Sequence, residues 1–138
     1  MASIFDVADW FLSKEPMTHN KLQKLTYYTV AWGHALLEQP LAGNPQFKAE
    51  AHGPVSAELR SKYERYGWDL IPQTNVPTAF TEEEVDLLES VYLTYGSKCA
   101  NELEALTLSE MPLIKAHDSG EVININEMKQ YYRSIYIG

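Results

Sequence analysis

The residues best suited to chemistry are four histidines and one cysteine, and their spacing builds no familiar site. His19, His34, His52 and His117 stand singly, and no two share the i, i+4 spacing of a helical zinc site. Cys99 has no CxxC partner and lies in a stretch with helical spacing, so we expect a small buried side chain. The pattern leaves open a metal site assembled from residues far apart in the chain.

Motifs for binding phosphate or activating a nucleophile are also missing. The sequence has no GxGxxG, no GxxxxGK[ST] and no GxSxG pattern. Its densest carboxylate run, Glu82 to Glu84, follows Thr81, and Thr81 with Glu84 matches the capping box of a helix start. The sequence therefore gives no positive sign of catalysis, and we expect a protein that is not an enzyme and holds no cofactor.

Composition and charge narrow the class of partner. With 138 residues, the chain is expected to form a single domain over residues 1–138. The formal charge of −8, from 11 basic and 19 acidic residues, disfavours nucleic acid and suits a basic protein partner. No apolar run approaches the roughly 20 residues of a membrane span, and Asp6 and Asp9 interrupt the N-terminal apolar stretch. We therefore expect a cytoplasmic protein.

The segment from Thr18 to Glu38 is the best-specified element, and we expect the rest to pack around it. Thr18 is a typical helix cap, and Gln39-Pro40 ends the pattern. One apolar stripe at steps of three and four predicts a face toward the core: Leu22, Leu25, Thr29, Trp32 and Leu36. Tyr27 and Tyr28 add aromatic surface beside it, so neighbours on two sides are expected. The polar residues Lys21, Gln23 and Lys24 are expected to face solvent.

The remaining segments predict a mainly α fold, a single compact helical domain of about six helices with at most a small pair of short strands. Helical patterns occur at residues 3–14, 55–66, 81–96, 97–107 and 112–116, and from a cap at Asn126 onward. Residues 46–51 alternate as a short strand, and residues 122–125 are β-prone. Trp68 to Ala79 is the longest irregular stretch, expected to be anchored by Trp68, Leu70 and Ile71.

The HGPV stretch allows two interpretations. Pro54 at the first position of a helix, preceded by Gly53, predicts a sharp helix entry that needs no function. Alternatively, the corner and His52 help to form a partner site. The aromatic residues raise the same question, because nine tyrosines and three tryptophans exceed what a small core needs, and some are expected at an interface.

Two blocks carry a resemblance to a known family. LQKLTYYTVAWGHAL and, later, AEAHGPVSAELRSKYERYG resemble the Panacea-domain proteins, a phage-associated, SocA-like group. The shared pattern is a lysine-leucine pair and two aromatics on a helix, then a Gly-Pro-Val corner and a helix that ends in Lys-Tyr and Tyr-Gly. This chain differs in having Ala51-His52 where members have aromatic residues, and Leu108 and Leu113 where they show histidine and tryptophan.

The resemblance implies an antitoxin of a toxin–antitoxin pair that neutralises a cognate protein toxin by direct protein–protein binding. It also implies an alternative, a proteolytic adaptor that delivers its partner to an ATP-dependent protease. The candidate partner-binding positions are Tyr27, Tyr28, Trp32, His52, Gly53, Pro54, Val55, Tyr63 and Tyr66.

Two further alternatives belong to other classes. A small metal-dependent hydrolase would use His52 or His117, and a DNA-binding autorepressor is disfavoured by the charge. The sequence leaves open the identity of the toxin, the oligomeric state and a phage or chromosomal origin.

Overall fold

The computed structural model describes residues 2–119 and 121–136, except for the side chains of Asp118 and Ser119. In this part of the chain, the seven α-helices are α1 (Ile4–Leu12), α2 (His19–Leu36), α3 (Ala57–Tyr63), α4 (Glu82–Tyr95), α5 (Ala100–Leu108), α6 (Met111–Ser119) and α7 (Ile125–Ile135). A two-stranded sheet joins β1 (Lys48–Glu50) and β2 (Gly53–Val55), and a 3₁₀ turn at Glu64–Tyr66 extends α3. The predicted mainly α fold is confirmed.

Side-chain caps fix the helix starts that the sequence indicates most clearly. Thr18 caps α2 by accepting from the N–H of Lys21, as predicted. At α4, the predicted capping box forms: the Thr81 side chain accepts from the Glu84 N–H, and the Glu84 carboxylate accepts from the Thr81 N–H. The cap of α2 and the capping box of α4 both satisfy backbone donors that a helix start leaves unpaired.

Helix α2 is the centre of the packing. It contacts α1, α3, α4, α5, α7 and β2, so it has neighbours on more sides than the two that the sequence predicts. The helix is buried around most of its circumference, and Leu25, Tyr27 and Tyr28 are inaccessible to solvent. The prediction that Gln23 and Lys24 face solvent is wrong, because both are buried.

The Gly-Pro-Val segment is a strand and not the predicted helix entry. Lys48 pairs with Val55, Ala49 with Pro54 and Glu50 with Gly53 in an antiparallel register. Helix α3 begins only at Ala57, because the Ser56 side chain accepts from the Leu59 N–H and caps the helix there. Proline fits β2 because, within the described residues, this strand pairs only with β1, so its other edge needs no N–H donor.

Residues next to the sheet also differ from the predicted boundaries. Segment 121–123 runs beside β1, with the Ala49 N–H donating to the Glu121 carbonyl and the Ile123 N–H to the Phe47 carbonyl. Asn124, and not Asn126, caps α7 through the Glu127 N–H. Helix α6 extends through Ser119, beyond the helical pattern predicted at residues 112–116, and Gly120 lies outside the described residues.

Predictions of burial are wrong in three places, and the first is Leu36 at the end of the predicted α2 stripe, which is 39% exposed. Cys99 is exposed at the cap position of α5, where its backbone N–H donates to the Glu102 carboxylate. Of the three predicted anchors of the long irregular segment, Ile71 is buried, whereas Trp68 is 86% exposed and Leu70 is 59% exposed. Within the described residues, no helix is both long and apolar enough to cross a membrane.

Candidate partner-binding site

The Gly-Pro-Val corner is packed tightly against α2 and α5. Gly53 has a φ of +110°, and a Cβ there would lie 3.0 Å from Thr107 Oγ1 and 3.5 Å from Lys24 Cε. Both the backbone conformation and the close approach of α5 therefore require glycine. Gly53 and Pro54 are buried, while Val55 is half-buried, so most of this corner faces inward.

Gln23 clamps the corner to the central helix. Its side-chain amide donates to the Ser56 carbonyl and accepts from the Ser56 N–H, both at 2.9 Å. This pair of hydrogen bonds replaces the ladder partners that Ser56 lacks after β2 ends. Gln23 and Ser56 are both buried, so the interaction fixes the start of α3 and leaves no polar group for a ligand.

Beside the clamp, Lys24 is buried and His52 is exposed. The Lys24 ammonium donates to the Asn20 carbonyl at 3.3 Å, and burial lowers the pKa of Lys24, against an opposing effect of the Glu104 charge. His52 Nδ1 lies 3.1 Å from the Glu104 carboxylate, and its side chain is 82% exposed. Of the HGPV residues, His52 is thus the one most accessible to a partner.

A buried cluster of three tyrosines and one glutamate joins α2 to α7. Glu110 Oε1 accepts from the Tyr28 hydroxyl at 2.9 Å and from the Tyr132 hydroxyl at 2.8 Å. The Tyr27 and Tyr132 hydroxyls lie 3.2 Å apart. We call Tyr27, Tyr28, Glu110 and Tyr132 the tyrosine–glutamate cluster. All four are buried, so its polar atoms bond to one another instead of to a partner.

Burial raises the pKa of Glu110 to about 7, although the two tyrosine hydroxyls favour the charged form and oppose this rise. Burial also raises the pKa values of Tyr27, Tyr28 and Tyr132, so these hydroxyls stay protonated. A perturbed acid is often a mark of a catalytic site. Here the acid is buried, and its Oε1 accepts from two protonated phenols in the core.

Tyr95 connects this cluster to the surface. Its ring stacks on that of Tyr28, with centroids 3.9 Å apart and planes 6° apart. Its hydroxyl accepts from Trp32 Nε1 at 3.0 Å, and burial raises the pKa of Tyr95 to about 12. Trp32 is half-buried, so its ring is where the aromatic core opens to solvent.

That opening is an elongated surface groove of about 420 Å³ between α2, α4 and the end of α7. Leu87 and Val91 form its buried floor, and Tyr95 lies buried at one end. We call it the acidic groove, because Glu83 and Asp86 line it and no lysine or arginine does. Its remaining lining residues are Trp32, Leu36, Leu37, Ser90, Thr94 and Tyr136.

The nine candidate residues therefore lie in separate places. Tyr27 and Tyr28 belong to the buried cluster, Trp32 lines the groove, and the four HGPV residues form the corner. Tyr63 is buried beside half-buried Tyr66, with ring centroids 6.5 Å apart. The sequence interpretation missed Glu110 and Asp86. One sequence feature could have identified Glu110, because it is a single charged residue between Leu108 and an apolar run.

The histidines stay apart in the fold. His117 is exposed on α6, His19 is half-buried, and His34 is buried with no hydrogen-bond partner for Nε2 among the described residues. In that part of the chain, no three side chains of His, Cys, Asp or Glu are grouped as metal ligands. Among the described histidines, His52 is the one that pairs with a carboxylate, that of Glu104.

Comparison of the chain with known protein families, with curated proteins and with solved structures finds no match. The resemblance to Panacea-domain proteins therefore stays a prediction from the two sequence blocks.

Proposed function

We propose that this chain is an antitoxin that neutralises a cognate protein toxin in the cytoplasm by binding it directly. The observation that carries the proposal is the acidic groove, an apolar and aromatic surface left open in a protein of formal charge −8. Aromatic residues at the centre of an apolar patch are typical anchors of protein interfaces. The toxin part of the proposal comes from the family resemblance.

The distribution of polar groups supports binding over catalysis. The groups with the most perturbed titration, Glu110 and its tyrosines, are enclosed and bonded to one another. The exposed apolar groups include Trp68, Leu93 and Tyr136, which are 86%, 85% and 52% exposed. A surface of this kind suits occlusion of a partner through an interface of standard size, about 1,600 Å².

Growth of a host that expresses the neighbouring gene, with and without this chain, tests the proposal. We expect toxicity from the neighbour alone and rescue when this chain is co-expressed. Absence of toxicity, or toxicity without rescue, would overturn the antitoxin function. Measuring the half-life of the neighbour's product in the same cells separates the two mechanisms, because simple occlusion leaves it unchanged and proteolytic delivery shortens it.

One observation favours a second candidate function, a hydrolase that uses His52. The exposed His52–Glu104 pair, at 3.1 Å, resembles a base held by a carboxylate. Titrating the two expression levels separates this function from binding. An enzyme rescues growth when it is scarcer than the toxin, whereas a binding protein that acts by occlusion rescues only when it is at least equimolar. Metal analysis of the purified protein tests the metal-dependent form directly.

A further inference from the structure

The acidic groove has the length of a peptide segment. Its lining residues on α4 run from Glu83 to Tyr95 at steps of three and four, along one whole face of that helix. At 1.5 Å per residue, these positions span about 18 Å. An apolar floor of this length suits a helix of about three turns laid along it.

The apolar residues of the groove become more exposed from its floor to its rim. Leu87 and Val91 are buried at the base, and Leu36 and Tyr136 stand at the walls, 39% and 52% exposed. The Tyr136 ring lies 6.1 Å from the Trp32 ring, which continues the aromatic wall. The rim is therefore an apolar surface that no residue of the described chain covers.

Charge along α4 has a single sign. The helix carries five carboxylates and no lysine or arginine. Among the described residues, no ion pair involves Glu82, Glu83 or Asp86. The helix dipole accounts for the glutamates of the first turn, but its effect fades beyond that turn and does not account for Asp86. Arg133 lies nearby, but its Nε donates to the Ala35 carbonyl, and it does not line the groove.

The two helices run antiparallel, which gives the groove a direction. Leu87 meets Gly33 near the end of α2, whereas Tyr95 stacks on Tyr28 more than one turn earlier. The Gly96 carbonyl, just after α4, accepts from Lys21 near the start of α2. The carboxylates thus lie at one end of the groove and the aromatic rings at the other. An occupant must match this order, with basic residues toward the start of α4 and a large apolar residue toward Trp32.

We propose that the acidic groove binds a basic amphipathic helix of the protein partner, with apolar residues at i, i+3, i+4 and i+7 and lysine or arginine on its flanks. This inference rests on the proposed function and assigns it a surface and a partner chemistry. Apolar burial along the floor supplies the affinity, and complementary charge sets orientation and speeds association.

A synthetic amphipathic helix of about 18 residues, built from leucine and lysine, serves as the probe. Its control is a peptide with the same leucine pattern and glutamate in place of lysine. We expect the lysine peptide to shift the amide signals of α4 and the Trp32 indole N–H signal in NMR spectra. Equal binding by the glutamate peptide, or shifts centred outside the groove, would overturn the proposal.

Three variants sharpen the titration. Asp86→Lys and Leu36→Lys change exposed groove residues, and we expect each to weaken binding of the lysine peptide at least tenfold. Asp69→Lys makes the same change of net charge as Asp86→Lys, but in the exposed loop after the 3₁₀ turn, and it should leave affinity within about twofold. Equal weakening by Asp69→Lys would show attraction by net charge alone and would overturn the groove. Unchanged melting temperatures establish that the variants are folded.

The growth assay separates failure of this inference from failure of the proposed function. If the wild-type chain does not rescue growth, the antitoxin function falls, whatever the peptide does. If the wild-type chain and both groove variants rescue growth equally, the function stands and the groove is not its binding surface. Rescue by the wild-type chain and by Asp69→Lys, with loss in both groove variants, supports both.

Discussion

The tyrosine–glutamate cluster and the acidic groove use similar residues for opposite purposes. Tyr28 and Trp32 are one turn apart on α2, and both contact Tyr95. In the cluster, the Glu110 carboxylate accepts from two buried hydroxyls, whereas in the groove Asp86 is exposed and has no ion pair among the described residues. Internal satisfaction of polar atoms, and not residue type, separates the cluster from the proposed binding surface.

Removal of an aromatic ring should show the largest contrast between buried and exposed positions. Tyr132→Ala empties a fully buried site and removes one donor to Glu110, so we expect a loss of about 3–5 kcal/mol in the free energy of unfolding. Trp68→Ala removes an exposed ring as the control and should change it by less than about 0.5 kcal/mol. Urea unfolding measures both. Similar costs would mean that the cluster does not hold the core.

Glu110→Gln should remove a pH dependence that the cluster imposes. Because folding raises the pKa of Glu110 from 4.5 to about 7, its contribution is fully present below pH 4.5 and is lost as pH rises to 7. The loss is on the order of 3 kcal/mol. Glutamine still accepts a hydrogen bond and does not ionise, so stability should fall less over this range. Urea titrations from pH 4.5 to 8 compare the two proteins, and parallel profiles would contradict the assignment.

Substitution of two glycines extends the comparison to the Gly-Pro-Val corner. Gly53 and Gly43 both have positive φ, but only Gly53 has atoms within 4 Å of an added Cβ. We expect Gly53→Ala to cost about 1–3 kcal/mol and to exceed the cost of Gly43→Ala. Thr107→Ala should recover part of the difference in a double-mutant cycle, because it removes the closest atom. Equal costs for the two glycines would show that backbone strain alone acts there.

The smallest effect is expected at His34, a buried polar group without the partners that Glu110 has. Burial, and then the charge of Lys129, lowers the pKa of His34, so its neutral form is favoured and stability falls as pH drops below 6.5. His34→Leu should be neutral or stabilising by up to about 1 kcal/mol at pH 8 and should flatten that fall. A clear loss of stability at pH 8 would mean that Nε2 has a partner.

Local signals predicted the helices well, because caps and spacing act within a few residues. Thr18, Thr81 and Glu84 each occupy the predicted cap position. Tertiary contacts decided the rest. The sequence predicts that Gln23 and Lys24 face solvent, but β2 and α5 cover them. It also predicts a helix start at Pro54, but strand pairing places this residue in the sheet.

The groove and the cluster could not be derived from spacing alone. Asp86 and Tyr136 are 50 residues apart in the chain, and Glu110 and Tyr28 are 82 residues apart. In contrast, the central role of α2 followed from its aromatic and apolar density, which leaves few positions for solvent. Sequence patterns thus identified the helix that carries both regions but not the residues that distinguish them.

The most direct test of the proposed antitoxin function is co-purification of the neighbouring gene's product, after co-expression, with three forms of this chain. We expect a stoichiometric complex with the wild-type chain and with Asp69→Lys, and little or none with Asp86→Lys. No complex with the wild-type chain, or equal recovery with Asp86→Lys, would contradict it.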